Sequence, residues 1–392
     1  MKKLVSIKHG YEPHRMAYDA LERVFEDNVE GKRILLKPNA GRIGEPNTAL
    51  CTGAEVVRGV IQFFKDQKAG EILVGDGALW GVDVWKAMEM AGIIKVCEEE
   101  GVTPVNLDEY KPIYKEIIDG VMVDRLKFSS LVFDVDMIVS IPVIKTHMYT
   151  GATLSIKNMK GCLYKMEKTL LHRLDKPNPY PEKGRVLDIG IADMSSVLLP
   201  DYSVLDGTIC MEGFGPSVGT RIDLDLVVAS KDPTAADYVG VQLMGMEYDA
   251  IKHINLVQER CNTAGIENIV VEPEDFMKYS KTFSTADMSK LDNMYPNIKV
   301  IEKGTCSACS AAIMTFIQRH GDKFDDFKIT LATGKDLTDE DLNSENLVLV
   351  GTCAGVRGRE KGIPFTPGCP PVGSTILGFI EKRREESTES NL

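Results

Sequence analysis

The sequence predicts an α/β protein with a mostly parallel sheet in a core domain and a smaller C-terminal α/β domain carrying a group of cysteines. Two observations predict this. Short apolar, β-branched runs alternate with longer amphipathic stretches, the pattern of strands joined by crossover helices. A polar, weakly periodic segment then interrupts the alternation before it restarts. The expected domains are residues 1–285 and 286–392.

Each element follows from its local pattern. The runs 33-RILLKPN-39, 71-EILVGDG-77, 103-TPVNLD-108, 136-DMIVSIPVI-144, 203-SVLDGTI-209 and 225-DLVVAS-230 have strand length and composition. The stretch 53-GAEVVRGVIQFFKDQKAG-70 reads as a helix, with Val56, Val57, Val60, Ile61, Phe63 and Phe64 on one face and Gly70 as its stop. The stretch 272-EPEDFMKYSKTFSTADMSKLDN-293 is taken as the connection between domains. Beyond it, 298-IKVIEK-303 and 347-LVLVG-351 read as strands and 374-STILGFIEK-382 as a helix. The polar tail 383-RREESTESNL-392 is expected to fray. No short-period repeat is visible.

Composition narrows the function. With 392 residues, 43% of them hydrophobic and 27% charged, the chain can bury a sizeable core and is neither disordered nor fibrous. A net charge of −12 argues against a broad phosphate-backbone footprint, so nucleic acid is not an expected partner. The segment 1-MKKLVSIKHGYEPHR-15 has no long apolar stretch and gives no secretory signal. No run approaches the roughly 18 to 20 apolar residues that cross a bilayer. A cytoplasmic protein without a membrane partner is the expectation.

In that reducing setting nine cysteines do not suggest a disulfide framework, and an odd number cannot pair fully. Cys51, Cys97, Cys162, Cys210 and Cys261 stand singly and read as small buried hydrophobes. Cys306, Cys309, Cys353 and Cys369 crowd the C-terminal region. Cys306 follows one expected strand, Cys353 follows another, and Cys369 sits in 367-PGCPP-371 before a helix. Loops of this kind emerge at the carboxyl edge of a parallel sheet, so separated pieces of chain can converge there. Cys306 and Cys309 form an i, i+3 pair, while Ala312, Ile313, Phe316 and Ile317 make the buried stripe of the same helix. The spacing C-x2-C, 43 residues, C, 15 residues, C-P-P fits an iron–sulfur cluster, with [4Fe–4S] the expected type. Structural zinc more often uses two paired knuckles, and zinc or unligated buried thiols are the alternatives.

The stretch 140-SIPVIKTHMYTGATLSIKNMKG-161 begins as a buried strand and then gathers basic and polar residues. Lysines at the end of an apolar strand are costly unless they face a cleft or an anion. Lys145, His147 and Lys157 are candidate proton-moving residues. Lys37, Asn39, Asp76, Thr146, Asn158, Lys160 and Asp206, many of them at strand ends, are candidate substrate contacts. The bland alternative is a solvated lysine face with a satisfied core histidine. His9, His14, His172, His253 and His320 have no comparable neighbours in sequence and receive no role. The loops 75-GDGALWG-81 and 211-MEGFGPSVGT-220 read first as tight turns, and Trp80 as a core residue.

The blocks 35-LLKPN-39, 141-IPVIKTHMYTGATLSIKNMKG-161, 204-VLDGTICMEGFGPSVGT-220 and 229-ASKDPTAADYVGVQLMG-245 resemble the domain-of-unknown-function 362 family over roughly residues 30 to 250. The resemblance implies an iron–sulfur module, which in many members is a ferredoxin-like pair of cysteine runs. Here 306-CSAC-309 is not part of such a run, so one cluster rather than two is implied.

The expected function is an iron–sulfur enzyme, redox in kind, acting on a small carboxylate or phosphate at the cleft between the domains. Lyase or isomerase chemistry at an open iron site is a variant of it. An electron-donor protein is then an expected partner, neither a nucleotide nor a flavin is excluded, and an oligomer is compatible. The competing readings are an electron-transfer or metal-delivery protein and a zinc-stabilised binding protein without catalysis.

Overall fold

A computed structural model describes residues 2–79, 81–174, 176–286 and 294–389, the side chains of residues 307 and 386–389 excepted. Trp80 and most of the latter part of the expected domain connection lie outside the described residues. The chain divides into two compact units, residues 1–171 with 176–286, and residues 172–175 with 287–392.

The first unit is built on β1 (Lys3–His9), β2 (Arg33–Pro38), β3 (Glu71–Asp76) and β4 (Thr103–Asn106), a small hairpin β5 (Pro112–Glu116) and β6 (Arg125–Ser129), then β7 (Met137–Ile141), β8 (Val143–His147) and β9 (Gly151–Thr153). It is completed by β10 (Tyr202–Glu212), β11 (Thr220–Ile222), β12 (Leu226–Ser230) and β13 (Ile269–Glu272). Its main sheet runs β13-β1-β12-β10-β7-β2-β3-β4, with β8 and β11 paired to β10 and β9 paired to β8. From β10 through β7, β2 and β3 to β4 every pairing is parallel; β1 and β10 each pair antiparallel to β12. The central strands are buried along most of their length, as near-continuous Val, Ile and Leu runs require.

The helix Ala54–Asp66 buries the apolar face expected of it, all six of its Val, Ile and Phe residues included. It packs on the helix Pro13–Val24, and a Cβ at Gly59 would lie 2.0 Å from the His14 carbonyl oxygen, so only glycine fits this approach. Phe63 meets Phe64 and Phe25 at centroid distances of 5.2 and 5.0 Å, in edge-to-face geometry.

The run 136–144 does not form the single strand expected. Pro142 has no N–H for a ladder, so β7 ends before it and β8 begins after it, and the Pro142 carbonyl accepts a hydrogen bond from Asp206 N at 2.7 Å. The break moves β8 off β7 and onto β10 and β9, carrying Lys145, Thr146 and His147 beyond the carboxyl end of the central sheet.

The second unit holds a four-stranded parallel sheet of β14 (Ile298–Glu302), β15 (Ile329–Thr333), β16 (Leu347–Val350) and β17 (Phe365–Thr366), in that order. Residues 383–389 of the tail expected to fray continue the helix Gly373–Glu389, their Glu and Arg being good helix formers, and residues 390–392 lie outside the described residues. Mixed α/β architecture with a largely parallel sheet is thus the fold of the chain. No helix among the described residues is long and apolar enough to cross a membrane.

Candidate functional site

Three of the sequence-selected residues close on one another. Lys37 Nζ lies 2.6 Å from Asp76 Oδ1 with both side chains almost wholly buried. The same amine donates to Asn158 Oδ1 and to the Pro38 carbonyl, each at 3.1 Å. Asp76 also accepts from Ala40 N at 2.9 Å and Gly77 N at 2.8 Å. Asn158 Nδ2 returns hydrogen bonds to the Lys37 carbonyl and Ser140 Oγ. A Cβ at Gly161 would stand 2.1 Å from Asp76 Oδ1 and 2.7 Å from Lys37 Nζ, which explains the glycine that ends the basic block. This network satisfies itself and ties the short helix Ser155–Asn158 to β2 and β3. Asp237, unremarked in the sequence, ties the same helix from the other side by accepting from Ser155 N at 2.8 Å and Ile156 N at 3.0 Å.

Asp206 is likewise engaged. Its carboxylate accepts from Gly53 N at 2.7 Å, fastening the residue that leads into the helix Ala54–Asp66, and from Thr208 N and Oγ1 at 3.0 and 2.6 Å. Burial raises its pKa, and those bonds and Lys145 oppose the rise. Asn39 N donates to Thr52 Oγ1 at 2.8 Å, fastening the loop between β2 and that helix, while its side-chain Oδ1 is buried without a hydrogen bond. Thr146 Oγ1 donates to the Gly213 carbonyl at 2.9 Å, and a Cβ at Gly215 would lie 2.1 Å from the Thr146 carbonyl oxygen. The glycines of the 211–220 loop therefore permit close packing against β8, as a tight turn would.

The remaining basic residues differ in kind. Lys145 is buried under the 39–53 loop and donates to the Leu50 carbonyl at 3.1 Å, with the Ala49 carbonyl at 3.5 Å. Burial brings its pKa down to about 8 against the attraction of Cys51, Asp76 and Asp206. Lys157 Nζ donates to Thr150 Oγ1 at 2.7 Å, and among the described residues no carboxylate lies within ion-pair distance of it. Burial, joined by repulsion from Lys160 and Lys145, pushes it well below its ordinary value. Burial alone takes Lys160 to about 7. His147 Nδ1 accepts from Tyr149 N and Thr150 N at 3.1 and 3.2 Å, so a neutral ring carries its proton on Nε2.

The structure adds two residues to this neighbourhood that sequence reasoning passed over. His253 is wholly buried, with its Nδ1 3.5 Å from Asp188 Oδ1, and the charges of Lys157 and Lys160 bear on it. The partners lie 65 positions apart in sequence, so no local motif signals them. His9, by contrast, stacks on Tyr279 at 4.4 Å, and His320 packs on Phe316 at 5.3 Å.

In the second unit the cysteines follow the carboxyl ends of its strands. Cys306 caps the helix Ser307–His320 and Cys309 lies one turn inside it. The Cys309 thiol donates to the Cys306 sulfur, which lowers Cys306 below the ordinary thiol range and raises Cys309. A Cβ at Gly351 would lie 3.0 Å from Cys309 Sγ and 3.7 Å from the Gly368 carbonyl oxygen, so three loops meet here. Thr352 N and Oγ1 both donate to that carbonyl at 3.0 Å, joining the Cys353 loop to the Cys369 loop. Cys353 and Cys369 are exposed. In donor chemistry this set suits a soft metal or an iron–sulfur cluster held by Cys306, Cys309, Cys353 and Cys369. Among the described residues, however, no three His, Cys, Asp or Glu side chains are grouped closely enough to hold a metal ion. Cys97, Cys162 and Cys210 are buried, and Cys51 and Cys261 half-buried.

The model of the family described as Domain of unknown function (DUF362) matches residues 34–242, the stretch that contains the Lys37 network, the basic block and Asp206. A thylakoid-associated protein of Synechocystis sp. is 27% identical over 222 residues, 55% of this chain; the chain spans 64% of that relative's length. The lactate racemase apoprotein of Thermoanaerobacterium thermosaccharolyticum superposes with a TM-score of 0.39 and 12% identity, over 97% of this chain and 90% of that one.

Proposed function

The chain belongs to the family described as Domain of unknown function (DUF362), and from that premise we propose that it is an iron–sulfur enzyme acting on a small carboxylate- or phosphate-bearing molecule held by Lys145, His147 and Lys157. The observation that carries the anion is Lys157, a buried amine whose hydrogen bond goes to one hydroxyl and which has no carboxylate at ion-pair distance among the described residues. A buried ammonium calls for compensating acceptors, so the amine stays neutral until an anion supplies them. Lys145, bonded to backbone carbonyls and brought down to about 8, keeps its charge at neutral pH and adds a cationic donor. His147, with both backbone donors on Nδ1, carries its neutral-ring proton on Nε2.

These groups can bind an oxyanion, take up protons as it arrives and orient it. A cluster on these cysteines is supported by the meeting of the loops that carry Cys309, Cys353 and Cys369 at the edge of a parallel sheet, and by Cys306 being held toward thiolate. When bound, such a group supplies one-electron transfer or a Lewis-acidic iron.

The test is anaerobic, iron-replete production followed by iron and acid-labile sulfide analysis, with sulfate and acetate titrations of wild type and Lys157→Met. Brown protein with similar amounts of iron and sulfide, and anion binding lost in the variant, is the expected result. Colourless protein with stoichiometric zinc would overturn the cluster, and unchanged binding in the variant would overturn the anion site.

A further inference from the structure

His253 and Asp188 present an unmet hydrogen-bonding demand in the interior. Both ring nitrogens of His253 and Oδ1 of Asp188 are buried without a partner, although His253 is 0% and Asp188 4% exposed. Leaving such groups unsatisfied forfeits their desolvation without return, so a native structure keeps them for a reason or fills them. The 3.5 Å between Nδ1 and Oδ1 is long for a hydrogen bond, yet it settles the tautomer. A lone pair on Nδ1 would repel the carboxylate, so the proton belongs on Nδ1 and the lone pair on Nε2. Asp188 is fixed for this role, since its Oδ2 accepts from Arg185 N at 3.0 Å at the start of the helix Val186–Ser195.

The pair lies against the basic block. A Cβ at Gly151 would come 2.5 Å from Ile251 Cδ1, and one at Gly184 would lie 3.2 Å from both Asp188 Cβ and Lys252 Cβ. The turn carrying Thr150, the residues leading into Asp188 and the start of the helix Lys252–Cys261 are therefore packed together, and Thr150 is the acceptor for Lys157. Burial first, then the charges of Lys157 and Lys160, hold His253 below its ordinary pKa, with Asp188 opposing them. A neutral imidazole oriented by a carboxylate, beside amines that take up charge when an anion binds, has the composition of a general base.

Resting on the anion reading above, we propose that Asp188 and His253 form a carboxylate–imidazole pair whose Nε2 takes the proton of an O–H group carried by the bound anion, so that the substrate class is a small anion bearing a hydroxyl. The oxyanion accepts from the lysine amines, and the hydroxyl donates to Nε2. In the step, the O–H bond breaks, an N–H bond forms at Nε2, the electron pair stays on the substrate oxygen, and Asp188 holds the resulting imidazolium. Nothing is oxidised or reduced.

The probes are glycolate, which carries the hydroxyl, and acetate, which lacks it, titrated into the full chain by calorimetry. Long-range proton–nitrogen NMR of wild type and Asp188→Asn reads the ring directly. Wild type should show the Nδ1–H tautomer, weakened in Asp188→Asn. Glycolate should bind at least tenfold tighter than acetate, and His253→Gln should abolish that preference while leaving acetate within about twofold. An Nε2–H tautomer, or equal affinity for the two anions in wild type, overturns the proposal and leaves a buried water as the partner of His253. Failure of both anions to bind removes the anion reading and this substrate class together, while the wild-type NMR result still decides for or against the pair.

Discussion

Lys37 and Asp76 stand at the ends of neighbouring parallel strands with their charged atoms 2.6 Å apart and almost no exposure. Asn158 completes the amine's hydrogen bonds, and Gly161 leaves room for the pair. Removing one partner of a buried pair strands the other charge, so Lys37→Met should cost about 3–5 kcal/mol in urea denaturation. The double change Lys37→Met with Asp76→Leu should recover much of that. A single variant that unfolds normally but loses anion binding would place the pair at the ligand instead.

Lys145 makes a pH prediction of definite sign. Its folded pKa of about 8 lies below the ordinary 10.5. Below pH 8 the amine is charged in both states and the fold bears the full cost of burying that charge. Between about 8 and 10.5 the unfolded chain holds a proton that the folded chain has released, so stability from this residue rises with pH through that window. Lys145→Met should therefore stabilise the protein at pH 7 by up to about 3 kcal/mol, with the gain shrinking toward pH 10.5. Urea midpoints at pH 7, 8.5 and 10 measure this, and a constant or reversed difference would refute it. Anion affinity should run the other way, weakening above pH 8 as the amine discharges.

Much of this architecture was legible because it is periodic. The stripe from Val56 to Phe64 and the apolar runs at 33–38, 71–76 and 226–230 are local patterns that burial enforces. The break at Pro142 carried a local signal too, since proline cannot continue a central ladder, but the apolar run around it masked the stop. Pairings were not legible. Strand ends marked Lys37 and Asp76 as special without showing that each satisfies the other, and nothing near His253 in sequence indicates Asp188. Such partners are chosen by topology, which brings residues from distant segments together.

The cysteines separate by thiol chemistry even before metal is added. In metal-free protein under reducing conditions, Cys306 should alkylate with a pH midpoint below the ordinary thiol range, because Cys309 donates to its sulfur. Cys309→Ala should move that midpoint upward by at least one pH unit. Ala at Cys306, Cys309, Cys353 or Cys369 should each remove most of the iron, whereas Ala at Cys51, Cys97 or Cys261 should leave it and cost about 1 kcal/mol of stability where the site is buried. Mass-resolved alkylation and iron analysis check both. Iron lost from the second group and kept in the first would mean a different ligand set.

Lys157 separates a ligand role from a framework role most sharply. Its amine is buried with Thr150 Oγ1 as its hydrogen-bond partner, and Lys160, at about 7, stands one helical turn along the chain. If the framework needed this amine, Lys157→Met would lower the melting temperature and Thr150→Val would follow it. Among the described residues no carboxylate stands at ion-pair distance, which argues the reverse, since a methionine of similar length fills the same space without a desolvation cost. We expect Lys157→Met to melt at or above the wild-type temperature while sulfate and acetate affinity falls at least tenfold. Thr150→Val should lose less, because only an acceptor is removed and the amine remains. Added salt should weaken wild-type binding less steeply than an exposed clamp, as buried charges are poorly screened. A variant that unfolds, or one that binds anions as wild type does, would return the basic block to the framework.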